Sequence, residues 1–155
     1  MNRQDPTATF QMKGYHMKKL LLDNPLADLS EDKVELQYFA HYRYSHNEEQ
    51  WNGLIGLGFR VVQMANNENT NDNQPLFMES IIEGEFSMNS ENTPENEETF
   101  SKRLRINGAS TLIPIMRAAV CSTSSLMGYP GKYSIPNINV YSLSWTCDNS
   151  EIEAE

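Results

Sequence analysis

The sequence predicts an α+β fold, with about four antiparallel strands in the first half of the chain and helices in the second. Three observations predict it. Val34, Leu36, Tyr38, Ala40, Tyr42 and Tyr44 alternate with Glu35, Gln37, His41, Arg43 and Ser45, which gives a strand with one greasy, aromatic face. The links between this and the neighbouring strand-like runs are too short to hold crossover helices, so the strands pair antiparallel, as a meander. Thr93-Pro94-Glu95 then opens a different pattern. It supplies a capping hydroxyl, a proline with no donor to lose and an acid facing the positive end of a helix dipole.

The elements follow in order. Phe10 to Leu22, FQMKGYHMKKLLL, reads as a strand with a loose period of two that ends before Asp23-Asn24-Pro25. The tyrosine-rich strand from Val34 comes next, with Phe39 out of place on its polar side. From Trp51 to Met64, Ile55, Leu57, Phe59 and Val61 share a face, and Gly53, Gly56 and Gly58 predict a bulge or a close backbone approach. An Asn-rich connection, Ala65 to Gln74, leads to a strand from Leu76 to Met88. In the second half a short helix from Pro94 is expected to stop at Asn107-Gly108. A longer one should start at Ser110 or Thr111, where Pro114 falls in a first turn that has few donors to satisfy. Its stripe is Leu112, Met116, Ala119, Val120, Thr123 and Met127.

At 155 residues the chain is expected to form a single domain, 1–155, with residues 1–9 disordered and 146–155 an acidic tail. The apolar fraction of 39% is low, and seven tyrosines and eight methionines supply much of it, so the core is thin and oligomerisation would add burial. A net charge of −9 argues against nucleic acid and anionic membranes and favours basic or unfolded clients. The N-terminus MNRQDPTATF has no signal-like apolar core, so a cytoplasmic location with reduced thiols is expected.

No reactive constellation emerges. His16, His41 and His46 are the only histidines, and His41 and His46 fall on opposite strand faces, a poor start for a metal site. Cys121 sits beside the apolar stripe and is expected to be a buried thiol, while Cys147 lies next to the acidic tail. The glycines of 53–58 lack the lysine of a phosphate loop. Neither catalytic residues, metal nor cofactor are expected, and the chain reads as one that binds.

Leu112-Ile113-Pro114-Ile115-Met116-Arg117, then Gly128-Tyr129-Pro130, Pro136 and Ile138-Asn139-Val140-Tyr141-Ser142-Leu143 resemble, in order and spacing, the SecB family of export chaperones. Phe10 to Leu22 and Glu83-Gly84-Glu85-Phe86-Ser87 resemble two of its strands. The resemblance implies a four-stranded antiparallel sheet with a long helix and shorter helices packed on one face, assembled as a dimer of dimers, a homotetramer. It also implies an ATP-independent holdase whose apolar grooves hold unfolded polypeptides for protein export. Carried over by position, the groove residues would be Val34, Leu36, Tyr38, Ile113, Ile115, Tyr129, Tyr133, Ile135 and Val140. Serine at Ile113 or Ile115 would then weaken client holding more than the fold.

Two departures bear on partners. Ala118 stands where the family has a glutamate, and few residues follow Val140, so the second helix should be short or absent. The implied partners are non-native chains, with the SecA motor or a dedicated antitoxin-like client as more specific ones. The alternative is an oligomeric assembly module that uses the same sheet only to associate.

Overall fold

The first strand, β1 (Phe10–Leu22), is matched residue for residue by the sequence pattern, and its loose period now has a cause. The computed structural model describes residues 9–22, 34–63, 76–127 and 135–149. Within it β1 pairs antiparallel with β4 (Leu76–Asn89), and the register slips between Met12 and Gly14 and again between Met17 and Lys19. Each slip inserts a residue and resets which side chain faces which way. Phe10, Met12, Tyr15, Met17, Leu20 and Leu22 therefore share one face despite unequal spacing.

The other two long strands are β2 (Val34–Asn47) and β3 (Gln50–Gln63), joined by Glu48-Glu49. Glu48 takes a left-handed φ of 57° there. Among the described residues the sheet order is β1-β4-β3-β2-β5, where β5 is Thr146–Cys147, running parallel to β2. The expected meander is therefore correct only from β2 to β4. β1 lies beside β4, not β2, a Greek-key arrangement. Antiparallel pairing puts the end of β1 and the start of β2 at the same end of the sheet.

One helix, α1 (Pro94–Leu126, 33 residues), crosses the sheet. Its start follows the sequence: Thr93 accepts from the Asn96 amide at 3.2 Å, and Glu95 and Glu97 lie in the first turn. Its expected end at Asn107-Gly108 does not exist, and Pro114 lies inside the helix instead of in a first turn. Burial explains why the local signals lose. Phe100, Leu104, Gly108, Leu112, Met116 and Val120 are all buried, so the packed stripe runs unbroken through the expected stop at Gly108 and on past Pro114. Gly108 serves packing, not capping: a Cβ there would meet Ile55 Cδ1 at 2.6 Å. Pro114 is exposed, so its ring projects away from the sheet, and the bond it forfeits to the Ser110 carbonyl and its crowding of that carbonyl both fall on the outer side of the helix.

The core lies between α1 and the sheet, centred on Ile55, Leu57, Phe59, Met78, Ile82 and Phe86. Aromatic contacts knit its end: Phe10 stacks on Phe86 at 5.4 Å, and Trp51 on Phe100 at 5.9 Å. The opposite face is stitched by charge. Glu83 pairs with Lys18, and Glu79 pairs with both Lys19 and Arg60, the latter at 2.8 Å. Those two carboxylates are nearly buried, which makes their pairing obligatory. Cys121, expected to be buried, is exposed, because it falls one residue past Val120 and so points outward from the stripe.

Candidate functional site

β2 is the outermost of the four long strands, and the last described stretch of the chain is fastened along its outer side. The chain leaves α1 and returns at Ile135, where Arg117 donates from Nε to the Ile135 carbonyl and from Nη2 to the Pro136 carbonyl, both at 2.9 Å. A short 3-10 turn, Val140–Ser142, follows, capped by Asn139, whose side chain accepts from the Tyr141 amide at 3.1 Å. Where the SecB resemblance implies a second helix, the described residues form that single turn and then β5.

The stretch Ser144–Asn149 then runs beside β2. The Ser144 amide donates to the Tyr38 hydroxyl at 3.1 Å, and the Trp145 ring meets Tyr42 edge-on at 5.9 Å. Thr146 and Cys147 pair with His41 and Tyr42. The Asp148 amide donates to the Tyr42 carbonyl at 2.8 Å, and its carboxylate lies 2.9 Å from His41 Nδ1. Asn149 Oδ1 accepts from the Tyr44 amide at 2.8 Å. The first residues of the expected acidic tail are thus docked; residues 150–155 lie outside the described residues.

Around this seam the surface is aromatic and partly open. Tyr38 is 43% exposed and Phe39 37%, and both border a shallow cavity with His41, Ser144, Thr146 and Asp148. Phe39, which looked misplaced in the alternation, lies over Gly58 and stacks with His41 at 5.6 Å. Gly56 likewise makes room for the His41 ring, 2.5 Å from where a Cβ would sit. The β2–β3 register is unbroken through both glycines. Of the two readings offered for them, close approach is right and a bulge is not.

The tyrosines differ electrically. The Ser144 backbone N–H, helped by the Ser144 side chain, holds the Tyr38 hydroxyl below its usual value. Burial first, and then its hydrogen bond to Glu97 Oε1 at 3.0 Å, pushes Tyr44 up to about 12. Tyr42 lies under the Arg105 guanidinium, 5.4 Å from ring centre to charge.

The expected groove residues separate into three groups. Tyr38 is exposed, while Val34, Leu36, Ile115 and Val140 are half-buried and rest against the core. Ile113 and Ile135 are 3% and 2% exposed and belong to the core itself, so within this chain they back the surface and do not form it. Tyr129 and Tyr133 lie outside the described residues. Sequence reasoning missed Arg117 as the anchor of the returning chain and Ser144–Asn149 as its clasp. A two-residue strand carries no periodicity, so no pattern search could have found the latter.

No protein-family model matches the sequence, and no curated protein is significantly similar to it. Solved structures do match. One is a Mycobacterium tuberculosis SecB-like chaperone, Rv1957, in complex with a ChAD peptide from the Rv1956 HigA1 antitoxin. It aligns with a TM-score of 0.51 at 9% identity, over 84% of this chain and 91% of that one. The fold is SecB-like. A second match, a protein of unknown function from Streptococcus agalactiae, has a TM-score of 0.51 at 13% identity over 83% of this chain and 97% of its own. The expected α+β SecB-like architecture, four long antiparallel strands with a long helix on one side, is therefore borne out. No helix among the described residues is long and apolar enough to cross a membrane.

Proposed function

We propose that this protein is an ATP-independent holdase that binds non-native polypeptide segments along the aromatic edge of its sheet. The observation that carries the reading is the exposed pair Tyr38 and Phe39 beside the β2 edge, on a SecB-like fold. Large aromatic area left exposed beside a sheet edge is a liability unless something is meant to cover it. Tyrosine suits the task because its ring contributes contact area with little rotamer entropy to lose. The surrounding net charge of −9 keeps such a surface soluble and attracts basic, unfolded segments.

In this reading the contact surface comprises Val34, Leu36, Tyr38, Ile115 and Val140, with Tyr129 and Tyr133 from the crossover. The chain works in the cytoplasm as a homo-oligomer, a dimer of dimers. The Mycobacterium tuberculosis chaperone binds an antitoxin peptide, which supports a dedicated antitoxin-type client over a general role in export.

The test is aggregation of a reduced, slowly folding protein, followed by light scattering at stoichiometric ratio without ATP. Suppression is expected, and Tyr38→Ser should lose most of it while its urea midpoint stays near that of the parent. Aggregation at the unassisted rate would overturn the reading. An assembly module would instead bury Tyr38 and Phe39 in a closed oligomer and bind little hydrophobic dye.

A further inference from the structure

The clasp along β2 imitates a bound peptide. Thr146 and Cys147 add two rungs of a parallel ladder, and the Asp148 amide bonds the Tyr42 carbonyl. Asn149 then uses its side-chain oxygen on the Tyr44 amide, in the place a backbone carbonyl of a longer strand would take. Trp145 supplies the ring against Tyr42 that an anchoring side chain of a peptide would supply. Extended chains dock on sheet edges through such main-chain rungs with alternate side chains in pockets.

The imitation is also weakly held. Among the described residues β5 is two residues long, both exposed, in the parallel arrangement that is the less stable per residue. Its side-chain tether, His41 to Asp148, is about one-third exposed on each side. Elements with few buried contacts and exposed hydrogen bonds are the ones that open locally.

We infer that Ser144–Asn149 is a displaceable intramolecular competitor: it occupies the β2 edge at Tyr42 and Tyr44 that an extended client segment takes by strand addition. This inference rests on the holdase reading and names the regulation of that surface. The occupant it fits is an extended segment alternating aromatic or branched apolar side chains with basic ones. Its backbone replaces the rungs at Tyr42 and Tyr44, one apolar side chain takes the place of Trp145, and its cations suit the acidic chain. Client affinity is then the intrinsic affinity of the open edge reduced by the fraction of molecules whose clasp is open.

The test locks the clasp reversibly. His41→Cys with Thr146→Cys, in a Cys121→Ser and Cys147→Ser background, places two thiols on paired positions of adjacent strands. Binding of a short fluorescein-labelled peptide alternating valine or tyrosine with lysine is read by anisotropy, in the oxidised and the reduced form of the same protein. The oxidised form should bind at least about tenfold more weakly than the reduced form. A second variant, Asp148→Ala with Asn149→Ala, should bind more tightly than wild type. Equal affinity of the two redox forms, with the disulfide verified by mass, overturns the competitor and leaves the holdase reading standing. No binding by wild type or by either redox form overturns the holdase reading and the competitor with it. A cysteine pair that does not oxidise refutes the docked clasp itself.

Discussion

Gly108→Ala is the substitution whose outcome depends most directly on α1 being one helix laid close against the sheet. In isolation, alanine for glycine in a helix interior gains about 1 kcal/mol. Here the new Cβ would sit 2.6 Å from Ile55 Cδ1 and 3.4 Å from Phe86 Cε2, and Ile55 is fully buried. Overpacking of that kind costs about 1–3 kcal/mol, so the single variant should be destabilised by about 1 kcal/mol net. Ile55→Val removes the clashing methyl and by itself costs about 1 kcal/mol. With Cδ1 gone, Cγ1 at 3.6 Å is an ordinary contact, and the helix gain is released. The double variant should therefore lie near wild type, a coupling of about 2 kcal/mol. Urea unfolding at one fixed protein concentration measures it, through the midpoint at constant slope. Strict additivity would refute the close crossing, and so would a Gly108→Ala variant more stable than its parent.

Three further outcomes follow from the same packing. Pro114→Ala restores the bond to the Ser110 carbonyl at an exposed site and should raise stability by about 1–3 kcal/mol in thermal unfolding; a helix starting at Ser110 or Thr111, with Pro114 in its first turn, would show no such gain. Ile113→Ser should cost the fold about 3 kcal/mol, whereas Ile115→Ser, at a half-buried position, should cost clearly less; similar urea midpoints for the two would contradict their different burial. Tyr44, held at about 12 in the folded chain against 10.0 when unfolded, contributes stability that is intact below pH 10.0 and drains away as the pH rises to about 12. Discounted for its partial exposure, that contribution is about 1 kcal/mol, and Tyr44→Phe should flatten the alkaline slope of a urea titration.

The strands were legible because alternation reports directly on which face is buried, and β1, β2, β3 and β4 lie where the alternation places them. β1 shows the limit: its two bulges shift the phase, so the strand could be located but its face could not be read by parity. Its partner was illegible too, because the pairing with β4 is between segments distant in sequence, and parity within residues 10–22 reports a face, not a neighbour. Gly108 and Pro114 misled because both are ordinary helix punctuation, and only the burial of Leu104, Leu112 and Met116 on either side of them shows that tertiary packing overrides it. Tyr38 lies on the face the strand period gives it, but its exposure there reflects its place near the end of the sheet and is not written in the alternation. The burial of Ile113 and Ile135, both expected to line a groove, was illegible because apolar character alone does not separate a groove from the core beneath it.

Arg117 holds the returning chain by two main-chain carbonyls, those of Ile135 and Pro136, and so specifies a position without specifying a side chain. Every residue offers the same carbonyl. The stretch beyond that anchor can therefore exchange side chains over evolutionary time without coming loose from the helix. A change of sequence there alters the surface while the scaffold under it keeps a single design.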